Sequence, residues 1–229
     1  MVVAPQYSAY KNVQWFGKPH GEITVIGAGG IGSNVAFQLG RLGFPFVIYD
    51  NDRVEIHNMS QMFTIKQVNE YKVTALFRTI SDFNSAIRIN GITEMWTKKE
   101  AITDIMFSCV DNMKTRRELF ETWLNDKYGN NDTVFIDARL NSEDMKIFVI
   151  TGRNRKAVDE YLSKWLFSDA EASEPLCTNK QTPHIGTICG SLMVALFTNW
   201  LCRNDVLSRT LPFKTEIHIP LMLVTNEYL

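Results

Sequence analysis

The turn Gly27-Ala28-Gly29-Gly30-Ile31-Gly32 has the spacing of a phosphate-binding loop, and Asp50 follows 18 residues after Gly32. Glycines let a backbone turn tightly and come close to phosphate oxygens, and a helix starting on such a turn offers them free N–H groups and partial positive charge. An acid at that distance can accept hydrogen bonds from both hydroxyls of a ribose. The pair points to an adenine nucleotide and leaves NAD, a flavin and ATP open; the bland alternative is a glycine turn serving only helix–strand packing. Further along stand Asp52, Val54, Asn58, Gln61 and Lys72, then Asp111-Asn112 directly after an apolar run. Singly, Lys72 reads as a solvated helix lysine, Asn58 as a turn residue and Asp111 as a helix N-cap. Together they supply what nucleotidyl transfer needs. A carboxylate attacking a triphosphate is repelled by it, so an ammonium and a divalent cation must neutralise charge while an amide holds the geometry.

Those side chains need a frame. Glu22 to Ile26 reads as a short buried strand, followed by the glycine turn, a helix with Val35, Ala36, Leu39 and Leu42 inward and Gly43 as its stop, and a strand from Pro45 to Tyr49. That is a βαβ unit, whose parallel strands require a crossover helix. The pattern predicts a helix around Glu70 to Phe83, strands near Ile87 to Ile92 and Met106 to Val110, a helix over Lys114 to Leu124 and a strand at Val134 to Ala138 that pairs with Lys146 to Ile150 as a hairpin. A helix near Ala157 to Phe167, a loop over 168–184, a helix from Ile185 to Leu201 and two strands around Glu216 to Ile219 and Met222 to Val224 close the chain. Such alternation predicts an α/β fold: a Rossmann-like, doubly wound, mostly parallel sheet with antiparallel edge strands. One domain over 1–229 is expected, with 1–20 as an N-terminal segment.

Composition narrows the class. Lys+Arg number 24 and Asp+Glu 25 for a net charge of -1, so no global basic excess advertises nucleic acid or an anionic membrane. The stretch 181–202 lacks formal charges and is long enough to span a bilayer, but His184, Thr187, Ser191, Thr198 and Asn199 interrupt it, which favours a buried core helix. The N-terminal residues lack the uninterrupted apolar core of a secretory signal. The 4 cysteines never pair at zinc-knuckle or redox spacing, so a reducing cytoplasm is expected, with Cys109, Cys189 and Cys202 as small core residues.

The ordered set Asp50, Asp52, Asn58, Gln61, Lys72, Asp111, Asn112 resembles the ThiF/MoeB family of ubiquitin-activating-type adenylyltransferases, over about Gly21 to Leu201. The resemblance implies that ATP is held over Gly27, Gly29, Gly30 and Gly32, the ribose by Asp50, the phosphates by Asn58 and Lys72, and Mg²⁺ by Asp111. It implies a substrate carboxylate at the C-terminus of a ubiquitin-like or sulfur-carrier protein, and a homodimer; Gly186 and Gly190, four apart on an apolar helix, would let a second helix approach. Pro175-Leu176-Cys177-Thr178, with Pro183 beyond, resembles the active-cysteine signature of ubiquitin-activating enzymes, which would make Cys177 a thioester-forming nucleophile. Asn179 departs from that signature.

Two family cations have no counterpart. Where an Arg-Gln pair follows the family's asparagine, this chain has Gln61-Met62, or Ser60-Gln61 with a one-residue deletion, and before Gly21 the cations besides His20 are Lys11 and Lys18. Weakened adenylation is expected, and an inactive nucleotide-binding scaffold is one alternative. ATP-dependent activation of a peptide or of a tRNA base is another. NAD-dependent oxidoreduction would leave Asp52, Asn58, Lys72 and Asp111 without a shared purpose.

Overall fold

The computed structural model describes residues 5–167, 181–205 and 210–229. Its strands are β1 (Ile23–Ile26), β2 (Phe46–Tyr49), β3 (Ile89–Ile92), β4 (Ile105–Ser108), β5 (Val134–Leu140), β6 (Asp144–Thr151), β7 (Lys214–His218) and β8 (Leu223–Glu227). Its helices are α1 (Gly32–Leu42), α2 (Lys72–Ser81), α3 (Met113–Lys127), α4 (Arg155–Glu160) and α5 (Pro183–Leu201). The strands form one sheet in the order β3-β2-β1-β4-β5-β6-β7-β8. β3, β2, β1, β4 and β5 run parallel, and β6, β7 and β8 are added antiparallel. The α/β architecture expected from the alternation is the one observed.

Alternation along each strand sorts side chains onto two faces. Ile23, Val25, Ile105 and Phe107 face α1, α2 and α5, where Val35, Leu39, Val73, Leu76, Cys189 and Phe197 complete one core. Ile26, Met106 and Phe135 face α3 and α4, where Phe120, Trp123 and Tyr161 complete the other. The chain leaves β1 toward β2 on one side and returns to β4 on the other. β1 and β4 are therefore neighbours at a topological switch point, where open α/β sheets leave a crevice outside the carboxyl ends of their strands.

Differences from the sequence reading are local. The helix expected from Ala157 to Phe167 is α4 followed by a π-helical turn, Tyr161–Trp165. The expected loop 168–184 ends earlier, because Pro183 sits at the first helical position of α5, where its missing N–H costs nothing. The N-terminal segment packs Tyr7, Tyr10, Trp15 and Phe16 together, with the Tyr10 hydroxyl donating to the Arg41 carbonyl (3.0 Å) at the far end of α1 from the glycine turn. Lys18 is taken by an ion pair with Asp205.

α5 is long and apolar enough to cross a membrane. Here Ile185, Cys189, Met193, Val194 and Phe197 are buried in the core against the sheet. It lies parallel to α1: Gly186 touches the Gly30 carbonyl, the Thr187 hydroxyl donates to Asn34 (3.1 Å), Gly190 lies on Asn34 and Val35, and the Gln38 amide donates to Ser191 (3.3 Å). The glycine pair expected to receive a second copy is thus used inside the chain, because the nearest backbone able to come that close is α1. A Cβ on Gly190 would stand 2.6 Å from the Asn34 Cβ and 3.0 Å from the Val35 nitrogen. Gly190→Ala is expected to cost about 1–3 kcal/mol in denaturant unfolding; an unchanged midpoint would contradict this helix contact.

Candidate functional site

The glycine turn is shaped by two of its glycines and open at a third. Gly27 has φ +92, a left-handed conformation, and a Cβ there would lie 2.7 Å from the Cys109 carbonyl oxygen. A Cβ on Gly32 would stand 1.8 Å from the Gly27 carbonyl oxygen, whereas one on Gly29 would meet nothing within 4 Å. So Gly27 ties the turn to β4, Gly32 lets α1 start against it, and the space over Gly29 is free. α1 begins with no acidic residue in its first turn and no side-chain cap, so its positive end is available to an anion. Gly30 is crowded: the Gln181 amide fills the position its Cβ would take.

Asp50, just past β2, reaches across to this turn. Its Oδ2 accepts from the Ala28 N–H (2.6 Å) and its Oδ1 from the Asp52 N–H (2.8 Å). Burial pushes the Asp50 carboxyl above its ordinary range, while the Ala28 N–H, the Lys72 ammonium and the Asp52 N–H pull it back. The acid read as a ribose acceptor is therefore also the brace of the turn. Each carboxylate oxygen retains a second acceptor site for a ligand hydroxyl.

Lys72 arrives through a short antiparallel contact. Arg53 bridges to Tyr71, the Val54 N–H donates to Glu70 (2.8 Å) and the Lys72 N–H to the Asp52 carbonyl (2.9 Å). The Lys72 side chain is 8% exposed, and its Nζ donates to Asp52 Oδ2 at 2.7 Å. A buried ammonium held by a mostly exposed carboxylate can exchange that partner for a phosphate. Arg53, by contrast, stacks over Tyr71 (3.9 Å) and donates to the Asn69 carbonyl.

Asn58 is buried, and its Oδ1 accepts from the Glu55 N–H (2.8 Å) in a capping box. The following segment is tied to α1 by the Met62 N–H donating to the Ser33 hydroxyl (3.4 Å). Gln61 Oε1 is buried without a hydrogen-bond partner, an acceptor left open for a donor-bearing ligand. Asp111, beyond the end of β4, is exposed. The N-cap of α3 is Asn112 instead, whose Oδ1 accepts from the Thr115 N–H (2.8 Å) and whose Nδ2 donates to Asp111 Oδ1 (3.3 Å). Asn112 thus positions the helix and Asp111, and the bland reading of Asp111 as the cap is not the one observed.

The carboxyl ends of β2, β1 and β4 therefore carry, side by side, Asp50, the glycine turn and Asp111, with Lys72 drawn in through Asp52. Cys177 lies outside the described residues. Cys109, Cys189 and Cys202 are buried and form no disulfide among the described residues, as expected of core residues. What the sequence reading missed is a buried cluster behind Asp111, in which Arg116 Nε donates to Asp137 Oδ1 (2.8 Å) and the Tyr161 hydroxyl to Asp137 Oδ2 (2.8 Å). Arg116 does not touch Asp111, because Asp137 claims its guanidinium. In the sequence Arg116, like Lys114, stands only as a cation close enough to Asp111 to orient it; Asp137 and Tyr161 carry no local signal.

The pattern of the ThiF family matches residues 20–219. The chain belongs to the ThiF family. No curated protein matches it. Among solved structures, PaaA superposes with TM-score 0.69 at 13% identity, covering 90% of this chain and 63% of that one. E. coli MccB with MccA-N7isoASN gives 0.67 at 16%, again 90% and 63%, and E. coli MccB with ATP gives 0.64 at 17%, with the same coverage. These likenesses establish a shared fold, and the chain spans a little under two thirds of each matched protein.

Two outcomes follow from this geometry. Burial pushes the Cys189 thiol up to about 12 and Cys109 well above its ordinary value. Iodoacetamide at about pH 8 is therefore expected to leave Cys109 and Cys189 unlabelled in the native protein and to label both after unfolding; native labelling of Cys109 would contradict the packing behind the turn. Lys72→Met removes a cation that holds Asp50 down, so the Asp50 titration should move to higher pH by carbon-13 carboxyl NMR. A midpoint that stays or falls would contradict the coupling.

Proposed function

We propose that this ThiF-family chain is an ATP-dependent adenylyltransferase that activates a carboxyl group. The observation that carries the reading is the succession of an N–H-braced glycine turn, a ribose-competent carboxylate, a buried ammonium with an exchangeable partner and an exposed carboxylate along three adjacent strand ends. In this reading the amides at the start of α1 receive the phosphates and Asp50 takes the ribose hydroxyls while keeping the turn in shape. Lys72 leaves Asp52 for a phosphate oxygen. The substrate carboxylate oxygen attacks the α-phosphorus, the bond to the bridging oxygen breaks, and pyrophosphate leaves with the electron pair.

Mg²⁺ fits the donor set. Among the described residues no group of three or more His, Cys, Asp or Glu forms a cage, and Mg²⁺ commonly takes one or two carboxylates and completes its shell with phosphates and water. Asp111 is the residue that would hold it, and the bound ion would supply charge neutralisation to the triphosphate. With no arginine at the family's position, Lys72 and the start of α1 carry the remaining charge recognition, which supports slower adenylation than a full cation set gives.

For the acceptor, we propose a carboxylate on a polypeptide. A ubiquitin-like or sulfur-carrier protein is the leading candidate from the ordered motif, with the Cys177 thiolate as the nucleophile that bonds the acyl carbon of the adenylate as AMP leaves. A peptide substrate is the second reading, favoured by the neighbouring MccB having been crystallised with AMPCPP and MccA. Labelled pyrophosphate should exchange into ATP in the presence of the true acceptor. Asp111→Ala should lower that exchange by about 10²–10³ without shifting the unfolding midpoint. ATP binding with no exchange for any carboxylate would favour an inactive scaffold, and tight NADH binding would overturn the reading.

A further inference from the structure

The paired ladder of β4 and β5 ends at Ser108 and Asp137. Asp111 lies three residues past that point, on backbone that no sheet pairing with β5 holds. Arg116, in the first turn of α3, takes over the connection. Its Nη2 donates to the Val110 carbonyl (2.5 Å) and to the Ala138 carbonyl (3.4 Å), so a single nitrogen joins the backbone past β4 to β5 one residue before Asp111. Its Nε is fixed on Asp137, which also accepts from the Tyr161 hydroxyl and from Arg139 Nε (3.3 Å). The Arg116 side chain is 5% exposed and Asp137 fully buried.

Two guanidinium groups and a phenol on one buried carboxylate exceed what charge balance needs. An ion pair serving stability alone gains little over apolar residues of the same volume. The planar fork of an arginine does something else here: it holds a carboxylate and two carbonyls in fixed relative positions, which a lysine ammonium, a point charge on a flexible stem, cannot reproduce.

We infer that Arg116 is a positioning residue: by bridging the carbonyls of Val110 and Ala138 it fixes the backbone from which Asp111 projects, with Asp137 and Tyr161 holding the guanidinium in that pose. The inference rests on the proposed role of Asp111 toward Mg²⁺. Partners one step behind a metal ligand commonly change metal affinity about 10–100-fold when altered.

The test is calorimetric binding of AMPCPP, a non-hydrolysable ATP analogue, in Mg²⁺ and in EDTA. Wild type should bind more tightly in Mg²⁺. Arg116→Lys, folded by thermal melt, should lose about tenfold in Mg²⁺ and nothing in EDTA, and adding Asp111→Asn should cause no further loss because both act through one contact. A folded Arg116→Lys that keeps the Mg²⁺ enhancement, or that loses affinity equally in both conditions, overturns the inference. Should that variant not fold, Tyr161→Phe carries the same test: about a threefold loss confined to Mg²⁺ is expected, and no loss or an equal loss in both conditions overturns it. A wild type that binds AMPCPP without any Mg²⁺ enhancement overturns the metal role and this inference together, and a wild type that binds no AMPCPP overturns the proposed function itself.

Discussion

The structure turns on one carboxylate. Asp50 takes the Ala28 N–H on one oxygen and the Asp52 N–H on the other, and so locks the end of β2 to the turn that follows β1. Without it, the Ala28 and Asp52 N–H groups would lose the one acceptor that joins them. The burial this requires raises the Asp50 carboxyl above its ordinary range, a cost borne because charge-assisted bonds to two N–H groups and a nearby ammonium offset it. A ligand that adds further donors to the same oxygens would deepen the offset, which gives nucleotide binding and turn geometry a common physical origin.

The sheet order makes this possible. Because β2 and β4 lie on opposite sides of β1, the products of three separate stretches of sequence meet within two strand spacings. The parallel approach of α5 to α1 adds a second helix whose N-terminus ends at Gly30, again without an acidic residue in its first turn. These helix ends and Lys72 are positive features that the described residues place near the turn.

The fold was largely legible in the sequence because its signals are local. Gly43 stops α1 in a left-handed cap, short apolar runs mark the buried strands β1 and β4, and the glycine turn sits where strand gives way to helix. The roles of single residues were less legible, since they depend on partners far along the chain. Nothing near Gly186 or Gly190 says whether the close-packed neighbour is α1 or another molecule. Nothing near Asn112 says that it, and not Asp111, would cap α3. Arg116 could be placed at a helix start from sequence, but Asp137, its buried partner, and Tyr161, which donates to Asp137, are 21 and 45 residues away, and only the fold brings them together.

A structure of the chain crystallised with AMPCPP and Mg²⁺ tests the central claim most directly. The account predicts phosphates on the amides at the start of α1, ribose hydroxyls on an Asp50 that still accepts from Ala28, the Lys72 ammonium moved from Asp52 to a phosphate oxygen, and the ion on Asp111. A nucleotide seated elsewhere, or one in this crevice that leaves Asp50 and Asp111 untouched, would contradict it.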